Sequence, residues 1–346
     1  MVKTPVVLLG ATGMVGQRMA QLLHGHSSLE VVALAASERS AGKRYADACR
    51  WHLPGDRHAG LGDVRVIPCE TDAVASAVGA GAIALSALPG GAARAIERQL
   101  AARGVHVVSN ASAHRMDRDV PLIIPEVNAD HLALCDVQPE SGMLLTNPNC
   151  TSMPAVIALA PILRHVGLEA VCLSSYQAVS GAGYPGESAW DMIGNVHPHG
   201  GDEEEKVAEE PLKILGTLAG DHVQNADFAI SARCVRVAVA DGHLVALQFK
   251  TRDALSPADC EELLRTYDPG LNLPGVPRPL IHVAGERDRP SPKLDANAGN
   301  GMAVTVGRIE ACPVMGLKMF ALCHNTVRGA AGAAILNAEL VLSRIS

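Results

Sequence analysis

The strongest constraint on the fold is an abrupt change of residue character near the N-terminus. A four-residue apolar run, Val6-Val7-Leu8-Leu9, gives way to Gly10-Ala11-Thr12-Gly13-Met14-Val15-Gly16 and then to an apolar-faced helix, Met14 to Leu23. A short unbroken apolar run is the pattern of a strand buried on both faces, as in parallel sheets. Glycines let the backbone approach a ligand closely, and the helix N-terminus behind them offers unpaired N–H groups to a phosphate. Strand, glycine turn and helix in this order are what a dinucleotide pyrophosphate requires. The spacing is G-x-x-G-x-x-G rather than G-x-G-x-x-G, so a glycine turn serving only strand–helix packing is the plainer alternative. Its place after the first strand favours binding. The expected contacts are Gly10, Thr12, Gly13, Met14, Val15 and Gly16.

The alternation continues. Residues 31–35, 82–87 and 105–109 read as buried strands, and 91–103 as a helix between the last two. Apolar strands alternating with helices predict an α/β unit of the Rossmann type, a parallel sheet covered on both faces. After Cys150 the pattern changes. Residues 170–177, 234–239, 243–250 and 303–309 look like strands, with a helix near 256–266, which predicts an α+β domain with a mixed or antiparallel sheet. A chain of 346 residues is long enough for two domains. The expected division is 1–149 with a C-terminal helix, 326–346, packed back on it, and 150–325 as the second unit. Glycine- and proline-rich loops fill 181–201 and 268–301, and loops of that length in a compact domain tend to be functional.

Composition excludes several classes. Hydrophobic residues reach 48% and charged ones 19%, so a large core is expected and disorder is not. A net charge of −7 argues against nucleic-acid binding, and 3% aromatic residues leave no stacking platform. The N-terminus runs straight into a strand without a signal-peptide pattern, and no apolar run reaches membrane-spanning length. Nine cysteines, an odd number without a C-x-x-C pair, fit reduced thiols in the cytoplasm. His197-Pro198-His199 lacks a third ligand, so these are expected to be loop residues and no metal is expected.

The second strand chooses the cofactor. An acidic residue at its end usually binds the ribose 2′-hydroxyl of NAD. Here the segment is Ala36-Ser37-Glu38-Arg39-Ser40-Ala41-Gly42-Lys43. Ser37, Ser40, Arg39 and Lys43 can hold a 2′-phosphate by hydrogen bonds and charge, which points to NADP. Glu38 runs against this unless it faces solvent.

The chemistry centres on Asn147-Pro148-Asn149-Cys150-Thr151-Ser152-Met153-Pro154, a tight turn that delivers one cysteine to the start of an apolar helix over 155–163. A thiolate at a helix N-terminus is stabilised, so the thiol pKa is expected to fall and the sulfur to become a nucleophile. The plain alternative is a small buried hydrophobe. Further on, Arg236 and His243 lie seven residues apart across a strand end and a glycine turn. Arginine is a fork for a carboxylate, and histidine moves protons near neutral pH.

Taken together, the chain resembles the aspartate-semialdehyde dehydrogenase family along nearly its whole length, in the manner of its archaeal and fungal branch. The carrying residues are Gly10 to Gly16, Ser109-Asn110-Ala111-Ser112-Ala113-His114-Arg115, Asn147-Pro148-Asn149-Cys150-Thr151, Gln177-Ala178-Val179-Ser180-Gly181-Ala182-Gly183, Gly201-Asp202-Glu203-Glu204-Glu205-Lys206, Arg236 with His243, and His324-Asn325-Thr326-Val327-Arg328-Gly329-Ala330-Ala331-Gly332. The resemblance implies NADPH-dependent reduction of L-4-aspartyl phosphate to L-aspartate 4-semialdehyde, in the biosynthesis of lysine, threonine and methionine. It implies Cys150 as nucleophile, His243 as acid–base group and Gln177 as the residue that orients the acyl group. Arg236 would bind the α-carboxylate and Glu203 the α-amino group, with Arg115, Lys206 and Asn110 at the phosphate. Ser180, Gly181 and Asn325 would join the cofactor contacts. The second domain would then serve catalysis and dimerisation, in a homodimer or homotetramer.

Rival readings remain at this level. A malonyl-CoA reductase would use the same cysteine, arginine and histidine but leave the phosphate-binding cations idle. An N-acetylglutamyl-phosphate reductase matches the spacing of Arg236 and His243 and the Glu203–Lys206 loop less well. A non-catalytic nucleotide sensor would have no need of the cysteine, histidine and arginine that are all present.

Overall fold

The computed structural model describes residues 3–198 and 202–345. His199, Gly200 and Gly201 of the loop expected over 181–201, and Ser346 of the segment 326–346, lie outside the described residues. The first sheet has six parallel strands in the order Val66–Pro68, Leu29–Ala36, Thr4–Leu9, Ile83–Ser86, His106–Ser109 and Leu144–Thr146. This is the doubly wound order, with its switch point between Thr4–Leu9 and Ile83–Ser86. The two outer strands, Val66–Pro68 and Leu144–Thr146, escape sequence reading because three residues are too few to show a period. Gly10 leaves the first strand with φ +77°, and a Cβ there would stand 2.7 Å from the Ala87 carbonyl oxygen. Both the sign of φ and the close approach require glycine.

The second sheet has seven strands, in the order Ile281–Ala284, Val304–Cys312, Gly316–Cys323, His243–Thr251, Leu168–Gln177, Ala229–Arg236 and His197–Pro198. It is mixed. Ala229–Arg236 runs parallel to Leu168–Gln177, and Ile281–Ala284 parallel to Val304–Cys312, while the other neighbours are antiparallel. The strand expected over 234–239 ends instead at Arg236. The Val239 N–H donates to the Val237 carbonyl at 2.8 Å, a three-residue turn that takes the chain out of the ladder. His197 and Pro198, expected in a loop, form the edge strand opposite Arg236 and Val235, where a proline without an N–H is tolerated.

The helix expected over 155–163 spans Ser152–Val166 and is buried at every residue from Ser152 to Ile162. It packs on His243–Thr251 and Gly316–Cys323. At the C-terminus a π-turn, Val327–Ala331, precedes the helix Gly332–Ile345. Ala334, Ile335, Leu336, Ala338, Leu340 and Val341 of that helix share a core with Val6, Leu8, Ile83 and Leu85 of the first sheet. Among the described residues no helix is long and apolar enough to cross a membrane.

Candidate active site

Strand direction gathers the polar residues. Gln177 and Arg236 are register partners at the ends of two parallel strands. His243 opens the antiparallel strand beside them, opposite Cys323 at the end of its own strand. One end of the second sheet therefore presents Gln177, Arg236 and His243, which are 1%, 4% and 0% exposed. Facing it are loops from the carboxyl ends of the first sheet. Asn110 and Arg115 follow His106–Ser109, and the turn 147–151 follows Leu144–Thr146.

The turn before Cys150 is held from several sides. Asn149 Oδ1 accepts the Thr151 N–H at 2.7 Å, a side-chain-closed turn of the kind asparagine favours. Asn149 Nδ2 donates to Glu203 Oε1 at 3.0 Å. Gln177 Nε2 donates to Thr151 Oγ1 at 2.8 Å and lies 3.3 Å from the same Glu203 oxygen. Gly329 of the π-turn backs the cysteine, and a Cβ there would come within 2.7 Å of Cys150 Cβ. That π-turn is anchored by Arg328, whose two terminal nitrogens donate to the two oxygens of Glu126 at 2.6 and 2.7 Å, both side chains buried.

His243 Nδ1 accepts the Ala178 N–H at 3.0 Å, so the neutral ring carries its proton on Nε2. Arg236 Nη1 donates to the Ala178 carbonyl at 3.0 Å. A Cβ on Gly181 would stand 3.0 Å from both Arg236 Nη1 and His243 Nε2, so the guanidinium and the imidazole flank this glycine together.

The expectation of a lowered Cys150 pKa is overturned. Burial pushes the thiol up to about 12, and the negative charge of Glu203 adds to this. Arg115, Arg236 and the local backbone act in the opposite direction without prevailing. Desolvation of the thiolate outweighs the helix N-terminus because the whole turn is packed between two sheets.

One face of the helix Asp202–Ile214 supplies much of the site. Glu203 accepts from Asn149 and Gln177, whereas Glu204 accepts from Arg233 and the Cys234 N–H. Lys206 pairs with Asp202 at 2.6 Å. Glu210 accepts from Arg115 at 2.8 Å and from the Asn149 N–H at 2.5 Å. Lys213 Nζ donates to the carbonyls of Arg115, Asp117 and Val120, fixing the loop that carries Arg115; burial lowers its pKa to about 8. Arg115, 8% exposed, also donates to the Asn110 carbonyl at 2.7 Å, and Asn110 Oδ1 accepts from Asn147. Sequence reading missed Asn149, Thr151, Glu210, Lys213 and the Glu126–Arg328 pair as site residues. The spacing of Glu203, Lys206, Glu210 and Lys213, three or four apart, was a legible signal of one helix face.

A cavity of about 450 Å³ opens between the two units. Met14 and Arg18 of the first helix line one wall, Ser180, Gly183 and Met192 another, and Thr326 a third. Asn325 Nδ2 donates to Ser180 Oγ at 2.8 Å, and its Oδ1 accepts the Gly242 N–H. Gly13 caps the first helix without a side chain, and a Cβ on Gly16 would collide with the Gly10 carbonyl. A side-chain-free cradle beside a cavity of this size fits a dinucleotide. Ser37, Glu38 and Arg39 stand exposed after the second strand, with Ser40 half-buried.

Comparison with known proteins agrees with this geometry. Residues 5–135 match the family description "Semialdehyde dehydrogenase, NAD binding domain", and residues 159–328 match "Semialdehyde dehydrogenase, dimerisation domain". The aspartate-semialdehyde dehydrogenase of Archaeoglobus fulgidus is 45% identical over 341 residues, 97% of each chain. The crystal structure of the Candida albicans aspartate-semialdehyde dehydrogenase with NADP superposes with a TM-score of 0.89 at 34% identity, covering 99% of each chain. That of aspartate-semialdehyde dehydrogenase II from Vibrio cholerae, complexed with ASA, gives 0.79 at 27% identity over 99% of each. The chain belongs to the aspartate-semialdehyde dehydrogenase family.

Proposed function

We propose that this chain catalyses the NADPH-dependent reduction of L-4-aspartyl phosphate to L-aspartate 4-semialdehyde and phosphate, in cytoplasmic aspartate-family amino-acid biosynthesis. The observation that carries the reading is the convergence of Cys150, Glu203 and Arg236, with His243 at the guanidinium, where the two sheets meet. Residues 1–149 with 326–346 serve the cofactor, and 150–325 serve chemistry and self-association as a dimer or tetramer.

In this scheme Arg236 takes the α-carboxylate and Glu203 the α-ammonium, while Arg115, Lys206 and Asn110 meet the phosphate. These charges complement those of aspartyl phosphate. Gln177, its amide tethered to Thr151, orients the acyl group beside the sulfur. Cys150 Sγ attacks the acyl carbon, and backbone N–H groups at the start of Ser152–Val166 steady the oxyanion. Phosphate leaves, carrying the thiol proton away as hydrogen phosphate, and a thioester remains on Cys150. NADPH, when bound against Gly10, Thr12, Gly13, Met14, Val15, Gly16, Ser37, Arg39, Ser40, Ser180, Gly181 and Asn325, supplies the hydride that reduces the acyl carbon. The resulting thiohemiacetal oxyanion collapses to the aldehyde as its C–S bond breaks, and the Nε2–H of His243 returns a proton to the departing sulfur.

The test is phosphate-dependent reduction of NADP with L-aspartate semialdehyde. Turnover that requires both phosphate and semialdehyde is expected. Reduction of malonyl-CoA without that activity would replace the reading with an acyl-thioester reductase, and cofactor binding without any turnover would leave a sensor.

A further inference from the structure

We infer that Glu210 is a positioning residue for the Cys150 nucleophile: one carboxylate oxygen fixes the peptide that leads into the cysteine, and the other aims and neutralises Arg115 beside it. The inference rests on the reading of Cys150 as nucleophile and extends it to a residue that touches no substrate.

Glu210 is 1% exposed. Its Oε2 accepts the Asn149 N–H at 2.5 Å and its Oε1 accepts Arg115 Nη1 at 2.8 Å. The two oxygens thus join loops that leave two neighbouring strands of the first sheet to a helix that packs on the second. Burial pushes the Glu210 carboxyl up, while Arg115 and the Asn149 N–H favour its ionised form, which offers an acceptor on each side. A glutamine has one acceptor oxygen and would leave either the Asn149 N–H or Arg115 without its partner. A buried ion pair is weak as a stabilising device, since apolar side chains of similar volume often serve stability as well. Its placement here alters the charge around one sulfur.

The charged and titratable groups around Cys150 are Arg115 and Arg236, which favour the thiolate, and Glu203, which opposes it. The thiol of Cys323, itself beside Arg328, is a further neighbour. Glu210 faces Arg115 and Glu203, and Lys213 lies on its other side. With Glu210 ionised, the positive charge of Arg115 is offset by a carboxylate before it acts on the sulfur. With Glu210 made neutral, the positive charge of Arg115 acts on the sulfur uncompensated.

The experiment follows the rate of Cys150 alkylation by iodoacetamide at fixed pH below the midpoint, where a change in rate of about tenfold is one pH unit in the midpoint, read from the mass of the peptide that contains it so that the exposed Cys172 does not interfere. In Glu210→Gln the alkylation midpoint should fall by about one pH unit or more, while kcat drops at least about tenfold and the dissociation constant for NADPH is unchanged. A role in packing alone would lower thermal stability without moving the midpoint. Arg115→Met should move the midpoint the other way, because a positive charge that favours the thiolate is then lost. The double variant Arg115→Met/Glu210→Gln should return towards the unsubstituted value. If Glu210→Gln does not fold, the Arg115→Met shift and its reversal in the double variant carry the test. An unchanged or raised midpoint in a folded Glu210→Gln, or no shift in Arg115→Met, overturns the inference. Turnover retained in Cys150→Ala would instead remove the nucleophile reading, a separate outcome that leaves the midpoints as measured.

Discussion

The turn that carries Cys150 and the loop after the second strand are held in opposite ways. Residues 147–151 are fixed by Glu203, Glu210 and Gln177 from the second unit, and by Asn110 and the π-turn glycine Gly329. Nearly all of these groups are buried or half-buried. Residues 37–43 hold themselves by turn bonds from Ser40 and Ala41 to the Ser37 carbonyl, with two backbone bonds to Val66, and all but the half-buried Ser40 and Ala41 are exposed. Bond making at a sulfur needs reacting atoms placed to a fraction of an ångström, which only a packed and hydrogen-bonded surround supplies. Sorting a 2′-phosphate from a hydroxyl needs only the right sign of charge within reach, and an exposed loop can supply that.

The largest consequence is at the sulfur. Cys150→Ala should reduce turnover by about 10⁴-fold or more while NADPH titration stays normal, because the cysteine sits on the turn after Leu144–Thr146 and the glycine cradle follows Thr4–Leu9. Cofactor binding lost together with turnover would make Cys150 a structural residue and erase the contrast. Next comes His243→Asn, expected to slow both directions by about 10²- to 10⁴-fold, the usual range for a lost acid–base group. Near-normal rates would leave Nε2 without a part in the reaction.

The π-turn behind the cysteine gives a stability prediction. Arg328 and Glu126 are buried and doubly hydrogen-bonded. Glu126→Gln leaves a guanidinium in the core facing a neutral amide, and the expected loss is about 3–5 kcal/mol in denaturant unfolding. Because Gly329 of the same turn backs Cys150, activity should fall with it even below the unfolding transition. A variant as stable as the original would show that the turn is held by packing alone.

What the sequence disclosed follows the same division. The Rossmann strands, the glycine cradle and the cysteine turn were legible because each depends on residue types at fixed local spacing, with Gly10 forced by its φ and the Ala87 carbonyl. The protonation state of Cys150 was not legible. A helix N-terminus can be read locally, but the desolvation that overrides it comes from two sheets closing around the turn. The spacing of Glu210 and Lys213 marked a shared helix face, but their burial was hidden for a related reason. On their own helix they look like a solvated charged face, and only the loop 110–120 brought against that face makes them buried partners. The end of the strand at Arg236 depended on a backbone turn at Val237 and Val239, which valines do not advertise.

The smallest effect belongs to the exposed loop. Arg39→Ala should lower the NADP-over-NAD ratio of kcat/KM by about tenfold or less, since a solvated cation meeting a phosphate is worth little more than a surface ion pair. Kcat with saturating NADPH should not change, because the turn 147–151 has no bond to this loop. The same logic sets a salt dependence. Raising ionic strength shortens the Debye length to about 3 Å at 1 M, so cofactor preference should erode while the Glu126–Arg328 contribution to stability persists. If the unsubstituted protein used NAD and NADP with equal kcat/KM, Glu38 would be competing with Arg39, and the assignment of Ser37, Arg39 and Ser40 to the 2′-phosphate would fail. If Arg39→Ala instead changed kcat as strongly as a substitution near the sulfur, the loop would be mechanically joined to the catalytic turn, and the two regions would differ only in exposure.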